Sequence, residues 1–278
     1  MDAKLHGLVE LTNEEYHGGP GVSKSHLDEI AAELDRTPKH YWQKYLNPER
    51  EPEKQTPALL LGQAAHIAIL QPDELHDYVV RGLEIDRRST ANKFEWAQFE
   101  EEHAGKIILP AGDYEKVLRI RDAIHRHPVI GPLFRRGTAE QSFFTTDKET
   151  GELIKCRTDW VLDGGGAIVD LKSTECASQR AFGYSAEKYR YHVQVAWYED
   201  ILIDLYGERP KHWMFVAFEK EPPYACGLFY ATREDREEGR ALARRDLNLI
   251  AQCRAAGHWP DFATEALPLT RPRRRFTA

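Results

Sequence analysis

The stretch Asp159-Trp160-Val161-Leu162-Asp163-Gly164-Gly165-Gly166-Ala167-Ile168-Val169-Asp170-Leu171-Lys172 decides how this chain is read. Two apolar, β-prone runs flank a glycine-rich break, which is the pattern of a β-hairpin. With the turn centred between Gly164 and Gly165, Asp159 and Asp170 stand equally far from it and face each other across the strands. Directly opposed residues of an antiparallel pair have Cβ atoms about 5 Å apart, and like charges there are destabilising. A divalent cation between the carboxylates removes the repulsion. Lys172 lies two residues beyond Asp170 and projects from the same strand face. Two carboxylates and an ammonium on one small surface fit a metal-dependent phosphodiester hydrolysis site. The plainer alternative is a solvated strand face, where Asp-x-Lys is common, with Asp163 merely opening the turn. Against it, Asp170 interrupts the apolar run from Ala167 to Leu171, and a carboxylate buried there requires a partner.

Outward from this hairpin, residues 140–146 and 153–162 read as strands joined by the turn Asp147-Lys148-Glu149-Thr150-Gly151, and residues 167–173 complete a meander. Residues 186–206 read as one long helix ended by Gly207. An apolar strand over 212–218 and a hairpin partner over 225–230 follow, then a charged amphipathic helix over 233–253. Ahead of the meander the chain is mainly helical. A Gly-rich loop closes at Gly21, and Ser23 or Ser25 caps a helix running to about Leu34. A short aromatic helix carries Tyr41, Trp42 and Tyr45. Pro57 then starts an apolar, buried helix. Residues 71–92 look irregular, and helices near 93–102 and 111–127 flank an extended Ile107-Ile108-Leu109. This order predicts an α/β chain, α+β-like, with a mixed sheet flanked by helices on both sides. One domain is expected over 1–278: a helical part at 13–130, a core at 138–260 and a basic tail at 261–278.

With 278 residues, 41% hydrophobic and 30% charged, the composition is that of a globular chain. No apolar run approaches a membrane span and the N-terminus lacks a signal-peptide core, so a cytoplasmic location and no membrane partner are expected. Cys156, Cys176, Cys226 and Cys253 form no Cys-x-x-Cys pair, which argues against zinc and iron–sulfur sites. The net charge of −7 argues against a protein that coats nucleic acid indiscriminately. It leaves room for a nuclease, whose metal site gathers carboxylates. Arg271-Pro272-Arg273-Arg274-Arg275 is either a phosphate-binding patch or a solubilising tail. There is no phosphate-binding Gly-x-x-x-x-Gly-Lys loop, no Gly-x-Ser-x-Gly elbow and no His-Glu-x-x-His.

Three further groups carry chemistry. His66 interrupts the apolar helix, with Gly62 one turn earlier giving room for close approach. It is either a core histidine bonded to a carbonyl or a metal ligand through a neutral nitrogen. Gln194 and Tyr198 share a helix face, fitting either amphipathic packing or the orientation of Lys172 or a phosphate. Glu140, placed at the head of the first meander strand, is either a further carboxylate of the site or a solvated edge residue.

Taken in order, Gly62…His66, Asp159, Asp170-Leu171-Lys172 and Gln194…Tyr198 resemble the PD-(D/E)XK nuclease superfamily, in the branch related to the RecB nuclease domain. Residues 16–25 (Tyr-His-Gly-Gly-Pro-Gly-Val-Ser-Lys-Ser), Asp86-Arg87-Arg88-Ser89-Thr90, Lys155-Cys156-Arg157-Thr158-Asp159 and Tyr189-Arg190-Tyr191-His192-Val193-Gln194 narrow the resemblance to the exonuclease VIII (RecE) nuclease-domain family, over about residue 13 to Trp259-Pro260. Thr158 stands where the superfamily name has proline.

The resemblance implies a restriction-endonuclease-like core. It implies a double-stranded DNA exonuclease that degrades the 5′-ended strand and leaves 3′ single-stranded tails for recombination. His66, Asp159, Asp170 and the Leu171 carbonyl would hold Mg²⁺, with Mn²⁺ a substitute. Lys172 would position the attacking water and Gln194 would hold Lys172. Lys24, Arg87, Arg88, Lys93 and Arg157 are the expected DNA-binding residues. DNA ends, a single-strand annealing protein and a homo-oligomeric ring are the implied partners. The competing readings are an endonuclease of the same superfamily and a non-catalytic DNA-binding domain of the same fold.

Overall fold

The computed structural model describes residues 5–51, 55–262, 265–266 and 268–269. The arginine-rich run at 271–275 lies outside the described residues, so the basic tail is not placed. Among the described residues there are eight strands: β1 (Gly7–Val9), β2 (Val79–Arg81), β3 (Ile107–Leu109), β4 (Gly137–Thr146), β5 (Leu153–Leu162), β6 (Ala167–Thr174), β7 (His212–Glu219) and β8 (Cys226–Tyr230). The helices are α1 (Asn13–Gly18), α2 (Lys24–Asp28), α3 (Pro38–Tyr41), α4 (Pro57–Leu70), α5 (Leu75–Tyr78), α6 (Thr90–Glu102), α7 (Ala111–Arg126), α8 (Gln179–Lys188), α9 (Tyr191–Tyr206) and α10 (Arg233–Ala256).

Six strands form one mixed sheet in the order β1-β4-β5-β6-β7-β8, in which only β6 and β7 run parallel. β2 and β3 pair separately. The near-continuous apolar run of β6 suits its central place, since strands covered on both faces lose the alternating pattern. One face packs Ile168, Cys156, Phe143 and Phe215 against α9 and α10. The other packs Val169, Leu171, Trp160 and Val216 against α4 and α7. The architecture is therefore the expected restriction-endonuclease-like one, a mixed sheet between helical layers.

Helix limits follow local chemistry. The Thr56 hydroxyl accepts from the Leu59 N–H at the head of α4 and Pro57 sits in its first turn. Thr232 and Asp235 cap α10 reciprocally, and Gly257 ends it with φ +60°.

Three expectations fail here: residues 71–92, expected to be irregular, hold α5 and β2. The helix expected over 186–206 is two helices, α8 and α9, broken at Arg190 with φ +51°. Buried Arg190 meets Asp28, Glu33 and Asp246, and these bonds outweigh the backbone cost of the left-handed conformation. The helix expected from Ser23 to Leu34 stops at Asp28, with a short 3₁₀ turn over Ala32–Leu34. β1, three residues long, is too short to carry a periodic signal.

Candidate active site

Three acids lie in one row across three strands. β4 and β5 pair Ala139 with Trp160 and Gln141 with Thr158, so Glu140 and Asp159 stand opposite each other between those pairs. β5 and β6 pair Val161 with Ile168 and Trp160 with Val169, and the next step puts Asp159 opposite Asp170. There the β5–β6 ladder ends, while β5 continues along β4 and β6 along β7. The Asp159 side chain fills the fork: its Oδ2 accepts from the Leu171 N–H at 2.7 Å, in place of a ladder bond. An extended residue directs its N–H and C=O to the same side, so the Leu171 carbonyl opens into the same fork.

The fork coincides with a twist in the sheet. Phe143 and Cys156 belong to the core under α9 and α10, yet Ala139 and Trp160, four residues away on the same strands, belong to the core under α4 and α7. Strict alternation would keep both members of each pair on one face. On β4 the switch falls by Glu140, a non-glycine residue with φ +53°. Such conformations persist where the surroundings over-determine them. Here Arg157 supplies that hold, donating from Nε to the Glu140 carbonyl at 3.2 Å and lying 3.0 Å from Oε2.

From α4, His66 brings Nδ1 to 3.8 Å from Asp159 Oδ2. One ligand atom each from His66, Glu140 and Asp159 lies within 4.8 Å of the others. Asp170 stands beside this triad rather than in it. Its Oδ1 accepts from Gln194 Nε2 at 2.6 Å, and its Oδ2 meets the Lys172 ammonium. That second contact is an ion pair without hydrogen-bond geometry, which leaves a buried oxygen with unspent acceptor capacity.

The electrostatics follow from three acids with too little positive charge around them. Burial, then the Asp159 charge, pushes the Glu140 carboxyl up to about 7. Burial pushes Asp170 up to about 6 against the pull of Lys172. It also raises Asp159, against Lys172 and the Leu171 N–H. Burial and the Lys172 ammonium lower His66 to about 4, so the imidazole is neutral and free to ligate. Burial pulls Lys172 down, but Asp170 and Asp159 more than offset this and hold it charged. Burial makes each acid resist ionisation, and the donor set is two carboxylates and a neutral imidazole. Mg²⁺ and Mn²⁺ fit such a set.

Several expected contacts are corrected. Gln194 holds Asp170, not Lys172. Tyr198 packs edge-on against Trp213, with ring centroids 5.5 Å apart, and serves the core. Lys24 is spent on Asp28 at 2.6 Å and on the Tyr189 carbonyl, so it is not a free phosphate contact. Arg157 is spent on Glu140 and on the carbonyls of Leu11 and Thr12. No element approaches Gly62 closely; a Cβ there would meet nothing within 4 Å. Arg87, Arg88 and Lys93 are exposed as a DNA contact requires, though Arg87 lies 3.4 Å from the Trp96 ring centroid and Arg88 pairs with Asp86. Glu140, which the sequence leaves between two roles, is in the cluster. Its place was countable: about the turn centre between Glu149 and Thr150, it is the mirror position of Asp159.

Residues 25–268 match the family described as "PDDEXK-like domain of unknown function". The chain belongs to that family. It is thus a member of the PD-(D/E)XK nuclease superfamily, whose nucleases generally depend on a divalent metal. Its fold is that of a protein from Eubacterium rectale whose crystal structure is described as a "Putative exonuclease", with 16% identity, 96% of this chain and 97% of that one covered, and a TM-score of 0.67. A second solved structure, SSO0001, has 13% identity over 70% of this chain and 87% of that one, and its TM-score of 0.30 carries no argument. No curated protein matches the chain. Among the described residues no helix is long and apolar enough to cross a membrane.

Proposed function

We propose that this protein is a metal-dependent exodeoxyribonuclease that degrades the 5′-ended strand of linear duplex DNA and leaves 3′ tails for recombination. The observation that carries the hydrolytic part is the acid row Glu140–Asp159–Asp170 at the fork of β5 and β6, with His66 and Lys172 against it. The exonuclease part rests on the sequence resemblance to exonuclease VIII, and the neighbour from Eubacterium rectale bears a matching description.

His66, Glu140 and Asp159 would hold the cation, with Asp170 and the Leu171 carbonyl adjoining it. When bound, Mg²⁺ or Mn²⁺ would polarise the scissile phosphate and lower the pKa of a water. Lys172, charged and anchored on Asp170, orients that water and offsets negative charge as it builds on the phosphorus oxygens. Gln194 fixes the Asp170 carboxylate, and through it the ammonium. Arg87, Arg88 and Lys93 are the proposed phosphate contacts along the duplex. The same resemblance extends the reading to a ring of copies around DNA, a single-strand annealing protein as partner and a cytoplasmic location.

The test is incubation of end-labelled linear duplex and covalently closed circular duplex with Mg²⁺. The expected result is stepwise shortening of the 5′-ended strand of the linear DNA while the circle survives. A circle that is cut would favour the endonuclease reading. Survival of both, in Mg²⁺ and in Mn²⁺, would leave only a DNA-binding domain.

A further inference from the structure

Next to the acids and the lysine runs a row of aromatic and basic side chains that the hydrolytic step does not use. Lys172 Nζ lies 5.0 Å from the centroid of the Tyr191 ring. Tyr191, buried at the start of α9, stacks on Tyr189 with centroids 5.9 Å apart and an interplanar angle of 23°. Tyr189 is 50% exposed, and the Lys188 ammonium sits 5.1 Å from its centroid. Further back along α8, Tyr184 is 68% exposed. Arg180, Tyr184 and Lys188 recur every four residues and so share one exposed helix face. Among the described residues neither Arg180 nor Lys188 has an acidic partner.

The backbone beneath Tyr189 is fixed. Its N–H donates to the Ser185 carbonyl and its own carbonyl accepts from Lys24. The next residue is Arg190, anchored by Asp28, Glu33 and Asp246. A half-exposed aromatic ring on a rigid backbone, with the long Lys188 side chain over it and a second ring joining it to the Lys172 ammonium, suits a base that stacks there as the lysine swings out to a phosphate. Bases within a duplex have both faces covered by their neighbours and a terminal pair offers only one, so rings and cations spread over several nucleotides fit an unpaired strand. Eight residues of helix rise about 12 Å, the length of roughly three to four stacked nucleotides.

We propose that Tyr189 and Tyr184 form a stacking platform for unpaired bases of the DNA strand entering the site, with Lys188 and Arg180 on its backbone. This rests on the DNA-end reading above and adds its substrate class: ends that carry or expose a short single-stranded stretch. Base–aromatic stacking of this kind tolerates any sequence.

The test is fluorescence anisotropy with two labelled DNAs, a blunt duplex and the same duplex forked into two four-nucleotide unpaired tails, in Ca²⁺ to prevent turnover. Tyr189→Ala is expected to weaken binding of the forked DNA about tenfold and of the blunt DNA less than twofold, with Tyr189→Phe close to the unaltered protein. Tyr184→Ala, at an exposed helix position, is expected to lose several-fold on the forked DNA alone and serves if Tyr189→Ala does not fold. Equal losses on both DNAs, or no loss in either variant while the unaltered protein binds, would overturn the platform and leave the hydrolase reading standing. Failure of the unaltered protein to bind either DNA would overturn both.

Discussion

Two clusters of buried charge meet at the first turn of α9, and they are solved in opposite ways. Around Arg190, the acids Asp28, Glu33 and Asp246 are matched by Arg190, Arg245 and Lys24, with contacts of 2.5–3.0 Å. One turn along, Gln194 faces the other cluster, where Glu140, Asp159 and Asp170 are set against Lys172 and Arg157 while His66 is neutral. In the first cluster burial raises the Asp246 carboxyl against the pull of Arg190 and Arg245, but Glu33 ends with its carboxyl lowered in spite of burial, because its own backbone N–H, Arg245 and Arg190 favour the charged form. In the second, the Glu140 carboxyl rises to about 7 and that of Asp170 to about 6. The balanced cluster is complete as it stands and holds the chain in shape. The acid-rich one is short of positive charge, and that shortage is its capacity to bind a cation.

If the contrast is right, the two clusters fail differently when one member is removed. Arg190→Ala leaves buried Asp246 with Arg245 alone and half-buried Asp28 with Lys24 alone, and a broken buried pair costs about 3–5 kcal/mol. Urea unfolding should show a loss of that size, and Mn²⁺ should not restore it. A loss under about 1 kcal/mol would remove the structural role from this cluster. Lys172→Ala and Asp170→Ala should instead leave the circular dichroism spectrum intact and slow Mg²⁺-dependent hydrolysis of linear duplex about 10²–10³-fold, the cost of one group acting on transition-state charge. Undiminished hydrolysis by either variant would remove the catalytic role from the acid-rich cluster.

Gln194 sharpens the boundary, because it stands on the helix of one cluster and serves the other. Partners that orient metal-binding carboxylates change metal affinity about 10–100-fold. Gln194→Ala should therefore raise the Mg²⁺ concentration for half-maximal hydrolysis by at least tenfold. The rate at saturating Mg²⁺ should stay within several-fold of the original. A rate lost at saturation with half-saturation unmoved would mean that Gln194 acts on Lys172, as its helix position alone suggested.

That distinction marks how far the sequence could be read. Counting from the Gly164–Gly165 turn places Asp159 opposite Asp170, and the ladder follows that register because a short glycine turn fixes pairing. The apolar run of β6 and the mixed sheet between helices were legible for similar local reasons. The kink at Glu140 was not, since nothing in glutamate favours a left-handed backbone and the hold comes from Arg157, seventeen residues on. The break at Arg190 depends on Asp28 and Asp246, distant in sequence. Lys24 and Arg157 read as free cations because sequence shows charge but not the carbonyls and acids that consume it. Gln194 reads as a neighbour of Lys172 because helical spacing gives a face, not an endpoint.

The smallest effect tests the shortage of charge directly. Glu140 has its carboxyl at about 7 in the folded protein against an ordinary 4.5, so between those values the folded protein holds a proton that the unfolded chain has released. The Glu140 contribution to the stability of the metal-free protein then grows as pH falls from 8 through 7, while Lys155, lowered by burial to about 8, contributes in the opposite direction near pH 8. Below about 6.5 two histidines act against it, because His66 and His26, lowered to about 4 and about 3, stay neutral while the unfolded chain takes up protons. In EDTA the gap in melting temperature between the unaltered protein and Glu140→Gln should therefore change by about 1–2 °C between pH 8 and pH 6.5, a modest effect because Glu140 is a third exposed. Millimolar Mn²⁺ should shrink that change, since the ion binds the deprotonated acids and supplies the missing positive charge in place of protons. A pH dependence between 8 and 6.5 that both Glu140→Gln and Mn²⁺ leave unchanged would place the excess acid somewhere other than the fork.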